Sequence, residues 1–492
     1  MTSPPQNTTP AGHAEPARAP HPAARPVSRR PVHLGLVLAV LATSVFLSAL
    51  DVFIVNVALA PIGQGVGETS LSKLSWILNG YAIVYAALLV PAGRLTDRFG
   101  GRTGFLLGLA VFTAASVGVA ASGDLWVLVA LRFLQAAGAA VLTPASLGLV
   151  LTTAPPARLT RYIQIWAASG SLAAAAGPVV GGLLVQVAWQ WIFLLNLPIG
   201  VAALVLAARL LPHGRPSGDA RMPDLLGGAL LAVAIGSLAL GLVQAPAWGW
   251  GAAPTLGSFA LTAVALVLCL LRSARHAVPV VDLRLLRNPV FAWAGVATLL
   301  FYAAFAVQLL GLTLWLQQEW HWSAIGTGLG VAPGPAMVFV ASAAGRRLAR
   351  RLPVGVVAAL GAALVAAGTA WLALAADGHL DYATDILPGW LVAGVGVGLA
   401  LPTLISSATA DLPKDKASTG SAVVTMAGQV GNVIGVSVLV VLLAAGAPGR
   451  AAHTFSHAWW TSVGIVALSA LAALGVTPRR KAAVPDPGNV AG

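Results

Sequence analysis

The sequence predicts an all-α polytopic membrane protein with fourteen transmembrane helices, on three observations. The 492 residues are 58% hydrophobic and only 9% charged, with a mean hydropathy of +0.85, whereas a soluble chain carries about 25% charged residues. Apolar runs of about 20 residues, the length that crosses a hydrocarbon core of about 30 Å, recur along the whole chain. The basic residues collect in alternate breaks between those runs, as the positive-inside rule requires.

Residues 1–33 are rich in Pro, Ala and Arg, lack apolar periodicity, and read as a disordered cytoplasmic tail. The first apolar run, 34–57, is too long for the core of a signal peptide and no cleavage site follows, so it counts as a span. Charged or Pro/Gly-rich breaks then separate spans at 74–93, 103–121, 125–149, 162–186, 190–210, 224–243 and 254–272. Six more follow at 290–316, 324–343, 354–376, 384–408, 418–445 and 458–476.

With a cytoplasmic N-terminus, the inside breaks carry nearly all of the 28 Lys and Arg, including Arg94, Arg98 and Arg102 after span 2 and Arg346, Arg347, Arg350 and Arg351 after span 10. Lys73 and Arg450 fall outside and Arg132 within a span. Both termini are therefore expected in the cytoplasm. The net charge of +13 follows this topology and gives no reason to expect nucleic acid. The single cysteine, Cys269, excludes an internal disulfide.

A weak repeat links "GRLTDRFGGR" (93–102), which follows span 2, to "GRRLARRLP" (345–353), which follows span 10. It suggests a six-helix bundle over 34–210, a linker with two inserted helices over 211–287, a second six-helix bundle over 288–476 and a cytoplasmic tail over 477–492. Parallel repeats of this kind place a substrate site between the halves, near the bilayer midplane.

Five stretches carry the chemistry. "LDVFIVNVAL" (50–59) puts a carboxylate, Asp51, inside span 1, and "LRFLQAAGAA" (131–140) puts Arg132, Gln135 and Gly138 in span 4. An Arg inside a span costs about 2.5–3.5 kcal/mol on insertion scales, so a partner is expected. In "GRLTDRFGGR", Gly93 allows close helix approach, and Asp97 can pair with a cytoplasmic Arg or cap a helix N-terminus. "GSLAAAAGPVVGG" (170–182) offers small residues for tight packing and, in Pro178, a kink. "WQWIFLLNLPIG" (189–200) brings a Trp pair that anchors the membrane interface.

Together these stretches resemble the major facilitator superfamily, and within it the 14-helix drug/proton antiporters, over roughly residues 34–476. In the helix 1 pattern Leu50, Asp51, Ile54, Val55, Asn56, Val57, Ala58 and Leu59 match, while Phe53 replaces Thr and Ala60 replaces Pro. In the loop motif Gly93, Asp97, Arg98, Gly100 and Arg102 match, and the resemblance implies a cytoplasmic latch between the halves. Gly101 stands where a basic residue is common, and in the second copy Ala349 takes the Asp position, so the latch should be asymmetric. Gly170, Gly177, Pro178, Gly181 and Gly182 match the helix 5 motif that the family links to antiport. Trp189, Trp191, Phe193, Asn196, Pro198 and Gly200 match the entrance to helix 6, with Gln190 in place of Arg. "WLQQEWHWSAIGTGLGVAP" (315–333) resembles the helix 9–10 connection.

Depth joins the two charges. Asp51 lies about seven residues from Ala58 and Arg132 seven from Leu125, each roughly 10 Å below the outer boundary at about 1.5 Å per residue. Apolar surroundings favour a neutral carboxyl and a guanidinium favours the charged one, so a moving Arg or entering water switches proton occupancy. Asp51 is therefore expected to exchange protons, with Arg132 tuning it and a cationic or amphipathic substrate competing for the carboxylate.

Phe53, Asn56, Gln135, Tyr302 and Gln308 are the expected cavity residues. Tyr81 and Tyr85, four apart in span 2, read as packing. Span 13, "STGSAVVTMAGQVGNVIGVSV", carries no acid, which favours monovalent or neutral amphipathic substrates. The expected function is proton-driven export of drugs, antibiotics or secondary metabolites from the bacterial cytoplasm across the inner membrane, by a monomer without cofactor, powered by the proton-motive force. The alternative on this fold is a proton symporter or specific metabolite carrier. An enzyme is not expected, since nucleophile, metal and phosphate-loop motifs are all missing. His453 and His457 read as a solvated pair in an outer loop.

Overall fold

The computed structural model describes residues 34–212, 222–375, 381–410, 412, 414–446 and 451–477. The expected tail over 1–33, almost all of that over 477–492, and Arg215, Arg221 and Arg450 lie outside the described residues. Fourteen helices are long and apolar enough to cross a membrane, and no strand occurs among the described residues. They are α1 (Leu34–Gly65), α2 (Leu71–Phe99), α3 (Gly101–Ala121), α4 (Leu125–Thr153), α5 (Arg161–Val185), α6 (Trp191–Leu210), α7 (Leu225–Trp248) and α8 (Ala253–Arg275). The series continues with α9 (Pro289–Gln318), α10 (Ala324–Leu348), α11 (Val354–Ala375), α12 (Tyr382–Ala410), α13 (Thr419–Ala444) and α14 (Ala451–Leu474).

Each coincides with a span expected from hydropathy; the differences fall at the ends. Helix α1 runs eight residues past 57, through Pro61, and α14 starts seven residues before 458. Hydropathy marks where the lipid core stops, whereas the backbone hydrogen-bond ladder continues into the interface. His453 and His457 therefore sit one turn apart on α14 with ring centroids 4.3 Å apart, not in a loop.

Helices α1–α6 form one bundle and α9–α14 a second, with matching packing. In the first, α1 packs on α5, α3 on α4 and α6, and α2 on α4; in the second, α9 packs on α13, α11 on α12 and α14, and α10 on α12. The close crossings use glycine in corresponding places, because association within lipid depends on how nearly two backbones can approach. A Cβ at Gly138 of α4 would stand 2.9 Å from the Gly108 carbonyl of α3; one at Gly361 of α11 would stand 2.7 Å from the Gly396 carbonyl of α12. The bundles meet along two seams, α2 against α13 and α5 against α10.

The inserted pair α7–α8 packs on itself, with α7 also lying against α2 and α13. It is pinned by Asp224, whose sealed carboxylate accepts from the Gly227 amide (2.8 Å) and from Arg272 Nε (2.6 Å). The first contact is a helix N-cap, worth about 0.5–2 kcal/mol. Asp224→Ala is expected to lower the thermal midpoint of the purified protein; an unchanged melt would mean that the pin contributes nothing.

Basic side chains gather at one end of the molecule, hereafter the basic end, where α2, α8 and α10 finish with Arg98, Arg275, Arg346 and Arg347. At the far end a single apolar core runs through both bundles, from Leu50, Ile54 and Leu59 to Trp315, Trp390 and Trp459. At the basic end, α1–α6 keep a core of their own around Phe105, Phe112 and Leu142.

Candidate functional site

The site is built inside the first bundle from α1, α2, α3, α4 and α6. Asp124 caps α4 by accepting from the amides of Trp126 (2.8 Å) and Val127 (3.0 Å), which fixes the start of the helix two turns before Arg132. Two glycines bring neighbours onto it. Gly138 admits α3 at Phe112, and a side chain at Gly80 of α2 would overlap the Phe133 ring. These approaches carry Ser116 and Tyr81 to the polar face of α4.

There Arg132 Nη1 donates to Asp51 Oδ2 and, at 2.7 Å, to Gln135 Oε1, while its Nε donates to the Ile77 carbonyl at 3.2 Å. Gln135 Nε2 donates to Asp51 Oδ1 and to Ser116 Oγ, both at 2.9 Å. Ser116 donates back to the Phe112 carbonyl (2.8 Å) and accepts from Asn196 Nδ2 (3.2 Å). The guanidinium lies 4.3 Å above the centroid of the Tyr81 ring and 5.8 Å from that of Phe193. Asp51 is 2% exposed and Arg132 1%, so the pair is sealed on every side. A sealed pair gains little net stability, yet removal of one partner strands the other and costs about 3–5 kcal/mol.

The pairing expected from depth is thus present, and Gln135 belongs to its network. Ser116 escapes sequence reading because a lone serine in an apolar helix ordinarily bonds its own backbone. Asn196 is marked in the sequence only by the helix 6 pattern. Phe53 lies against Gly177, where a Cβ would stand 2.7 Å from Phe53 Cβ, and Asn56 returns a hydrogen bond to the Val52 carbonyl (2.8 Å). Gln308 is fully buried inside the second bundle, its Nε2 donating to Thr369 Oγ1 at 2.7 Å while its Oε1 has no partner among the described residues. Tyr302 does lie near the seam, with its ring 2.9 Å from where a Cβ at Gly428 would sit and within electrostatic reach of Tyr85 across the halves.

In the loop motif Asp97 is exposed at the end of α2, makes no hydrogen bond or ion pair among the described residues, and lies within electrostatic reach of Arg94. The bond that joins the halves here comes from Arg94, whose Nη2 donates to Thr419 Oγ1 of α13 at 2.8 Å; Asp97 follows it by about one turn on the same helix. Gly93 meets Pro144 only at an ordinary 3.5 Å, so close approach is not its role. Gly100, at φ 95°, makes the one-residue turn from α2 to α3. Arg102 donates to the Ala208 carbonyl at the end of α6 (2.6 Å), and Arg98 lies 5.8 Å from the Phe99 centroid.

The helix 5 motif forms the far-end seam. Gly170 faces Val45, while Gly177 and Gly181 seat α5 on Phe53 and Ile54 of α1. A Cβ at Gly182 would meet the Ala324 carbonyl at 2.5 Å and Ile325 Cα at 2.7 Å, and a side chain at Gly328 of α10 would collide with the Pro178 carbonyl. Gln317 Nε2 donates to the Val57 carbonyl at 2.9 Å, adding a polar bond between the halves at the same end.

Among the described residues the other placed carboxylates, Glu68, Asp97, Asp124, Asp224, Asp282, Glu319, Asp381 and Asp385, lie at helix ends or in connections. Asp51 alone among them sits deep within a span. Two helical bundles around an intramembrane carboxylate and guanidinium define a membrane transporter rather than an enzyme. The chain belongs to the Major Facilitator Superfamily, whose family model matches residues 41–436.

Its relatives include the tetracenomycin C resistance and export protein of Streptomyces glaucescens, 33% identical over 91% of this chain and 81% of the relative. The cephamycin export protein CmcT of Amycolatopsis lactamdurans is 34% identical over 90% of this chain and 91% of its own. Among solved structures, a POT family transporter in complex with a thioalcohol-conjugated peptide superimposes with a TM-score of 0.64, at 16% identity, over 88% of this chain and 94% of the other. That likeness shows the shared fold.

Proposed function

We propose that this protein is a proton-driven exporter of amphipathic or cationic drugs, antibiotics or secondary metabolites in the bacterial inner membrane, with its basic end in the cytoplasm. The observation that carries the proposal is the sealed Asp51–Arg132–Gln135 network. A guanidinium beside a carboxylate favours its charged form, whereas dry surroundings without that partner favour the neutral, protonated form. Rearrangement of the bundles that loosens the pair therefore loads a proton, and re-formation releases it.

The far-end seam supplies the second requirement, a gate made of two backbones in contact rather than of side chains. Export as the direction is supported by the helix 5 motif, whose Pro178 and Gly182 stand in this seam, and by relatives named for resistance and export. The test uses inverted membrane vesicles holding a pH-sensitive dye and an acid interior, with a panel of lipophilic cations and antibiotics added outside. At least one compound is expected to draw protons out while accumulating inside, with both fluxes abolished by a protonophore. Accumulation that a protonophore leaves intact would refute proton coupling.

A further inference from the structure

Asp51 is sealed, yet a proton carrier must exchange with water, and hydroxyl groups lead from it toward the basic end. Ser48 lies one turn before Asp51 on α1, and its Oγ is within reach of the Tyr81 hydroxyl, although neither buried atom completes a well-aligned hydrogen bond. The Tyr81 ring stacks on that of Tyr85, one turn nearer the basic end, with centroids 6.0 Å apart and planes 9° from parallel. Tyr85 Oη shares a hydrogen bond with Thr143 Oγ1 at 3.0 Å. Beyond Thr143, Ser146 Oγ donates to the Thr143 carbonyl (2.9 Å) and accepts from Trp166 Nε1 (3.0 Å) on α5, five residues from the start of that helix.

Along the same line Asp51 is 2%, Tyr81 3% and Tyr85 7% exposed, and Ser146 is fully buried, while Ser48, Thr143 and Trp166 are partly open. Leaving a buried hydroxyl unpaired costs about 1–3 kcal/mol. Two such atoms beside an ion pair, followed by a hydroxyl bonded to the partly open Thr143, are what a conduit needs and what plain packing avoids.

We infer that Ser48, Tyr81, Tyr85 and Thr143 form the proton path between Asp51 and the basic end. This rests on the reading of Asp51 as the proton carrier. On release, the carboxyl proton passes to the Ser48 hydroxyl as that group hands its own to Tyr81. Tyr81 does the same to Tyr85 through one bridging water, and Tyr85 to Thr143 and on to water at the basic end. Each hydroxyl gains one proton and loses one, so the net change is one proton moved and one carboxylate left. Reorientation of the hydroxyls resets the chain.

The full-length protein in lipid nanodiscs, subjected to a pH jump and followed by time-resolved infrared spectroscopy, tests this without any substrate. The protonated carboxyl stretch of Asp51 is identified by its loss in Asp51→Asn. In Tyr85→Phe, which keeps the stacked ring, the stretch is expected to appear about tenfold or more slowly, with the pH at half-protonation unchanged; Thr143→Val should behave alike. An unchanged rate in both variants would overturn the path, as would a slower rate accompanied by a moved half-protonation pH, which marks a structural role. If no carboxyl stretch titrates in the wild type, the reading of Asp51 itself fails.

Discussion

Asp51→Asn is expected to abolish proton-coupled export and also to destabilise the first bundle. The substitution removes the counter-charge of a guanidinium that is 1% exposed and leaves it with neutral contacts to Gln135 Oε1, the Ile77 carbonyl and the rings of Tyr81 and Phe193. Stranding a buried charge costs about 3–5 kcal/mol, so the thermal midpoint should fall clearly. The double variant Asp51→Asn with Arg132→Gln separates the two effects. It carries no buried charge and should recover a large part of the lost stability, while export remains uncoupled. Recovery of both stability and coupling would show that the pair is only a structural cross-brace.

The second large effect is expected at the far-end seam. Gly328→Val places a branched side chain against the Pro178 carbonyl, a backbone atom that no rotamer change can move. Overpacking of this kind costs about 1–3 kcal/mol, paid only in the state where α5 and α10 are in contact. An energy of that size shifts a two-state balance by about 5- to 150-fold, toward the arrangement open at the far end. Export should fall accordingly. A cysteine placed at Ile325, in the seam, should then react faster with a membrane-impermeant thiol reagent added to intact cells; the native Cys269 is buried and adds little background. Unchanged labelling together with unchanged export would show that the seam is not the gate.

These two sites differ in how far the sequence reveals them. Asp51 and Arg132 stand out because an ionised group in a span must have a partner, and residue counts from the span ends place both at one depth. Gly182 stands out through its motif, but nothing along the chain says that it faces Ala324, or that Gly328 is its counterpart. Small residues report that some backbone comes close without saying which. The same limit explains Ser116 and Asn196, whose roles depend on how α3 and α6 rotate onto α4. It also explains Arg94, one of many arginines at the basic end until its face is seen to meet Thr419. The fourteen spans were legible almost to their ends because hydrocarbon thickness, a constraint outside the protein, dictates them.

The most direct test of the central claim is proton release on binding. The purified wild type, in weakly buffered detergent solution with a pH indicator, is mixed with the compound that the vesicle assay finds to be exported. The account predicts that binding changes the proton count of the wild type and leaves that of the Asp51→Asn, Arg132→Gln variant unchanged, although the variant still binds. Equal proton release from both proteins would contradict it and assign the coupling to another group.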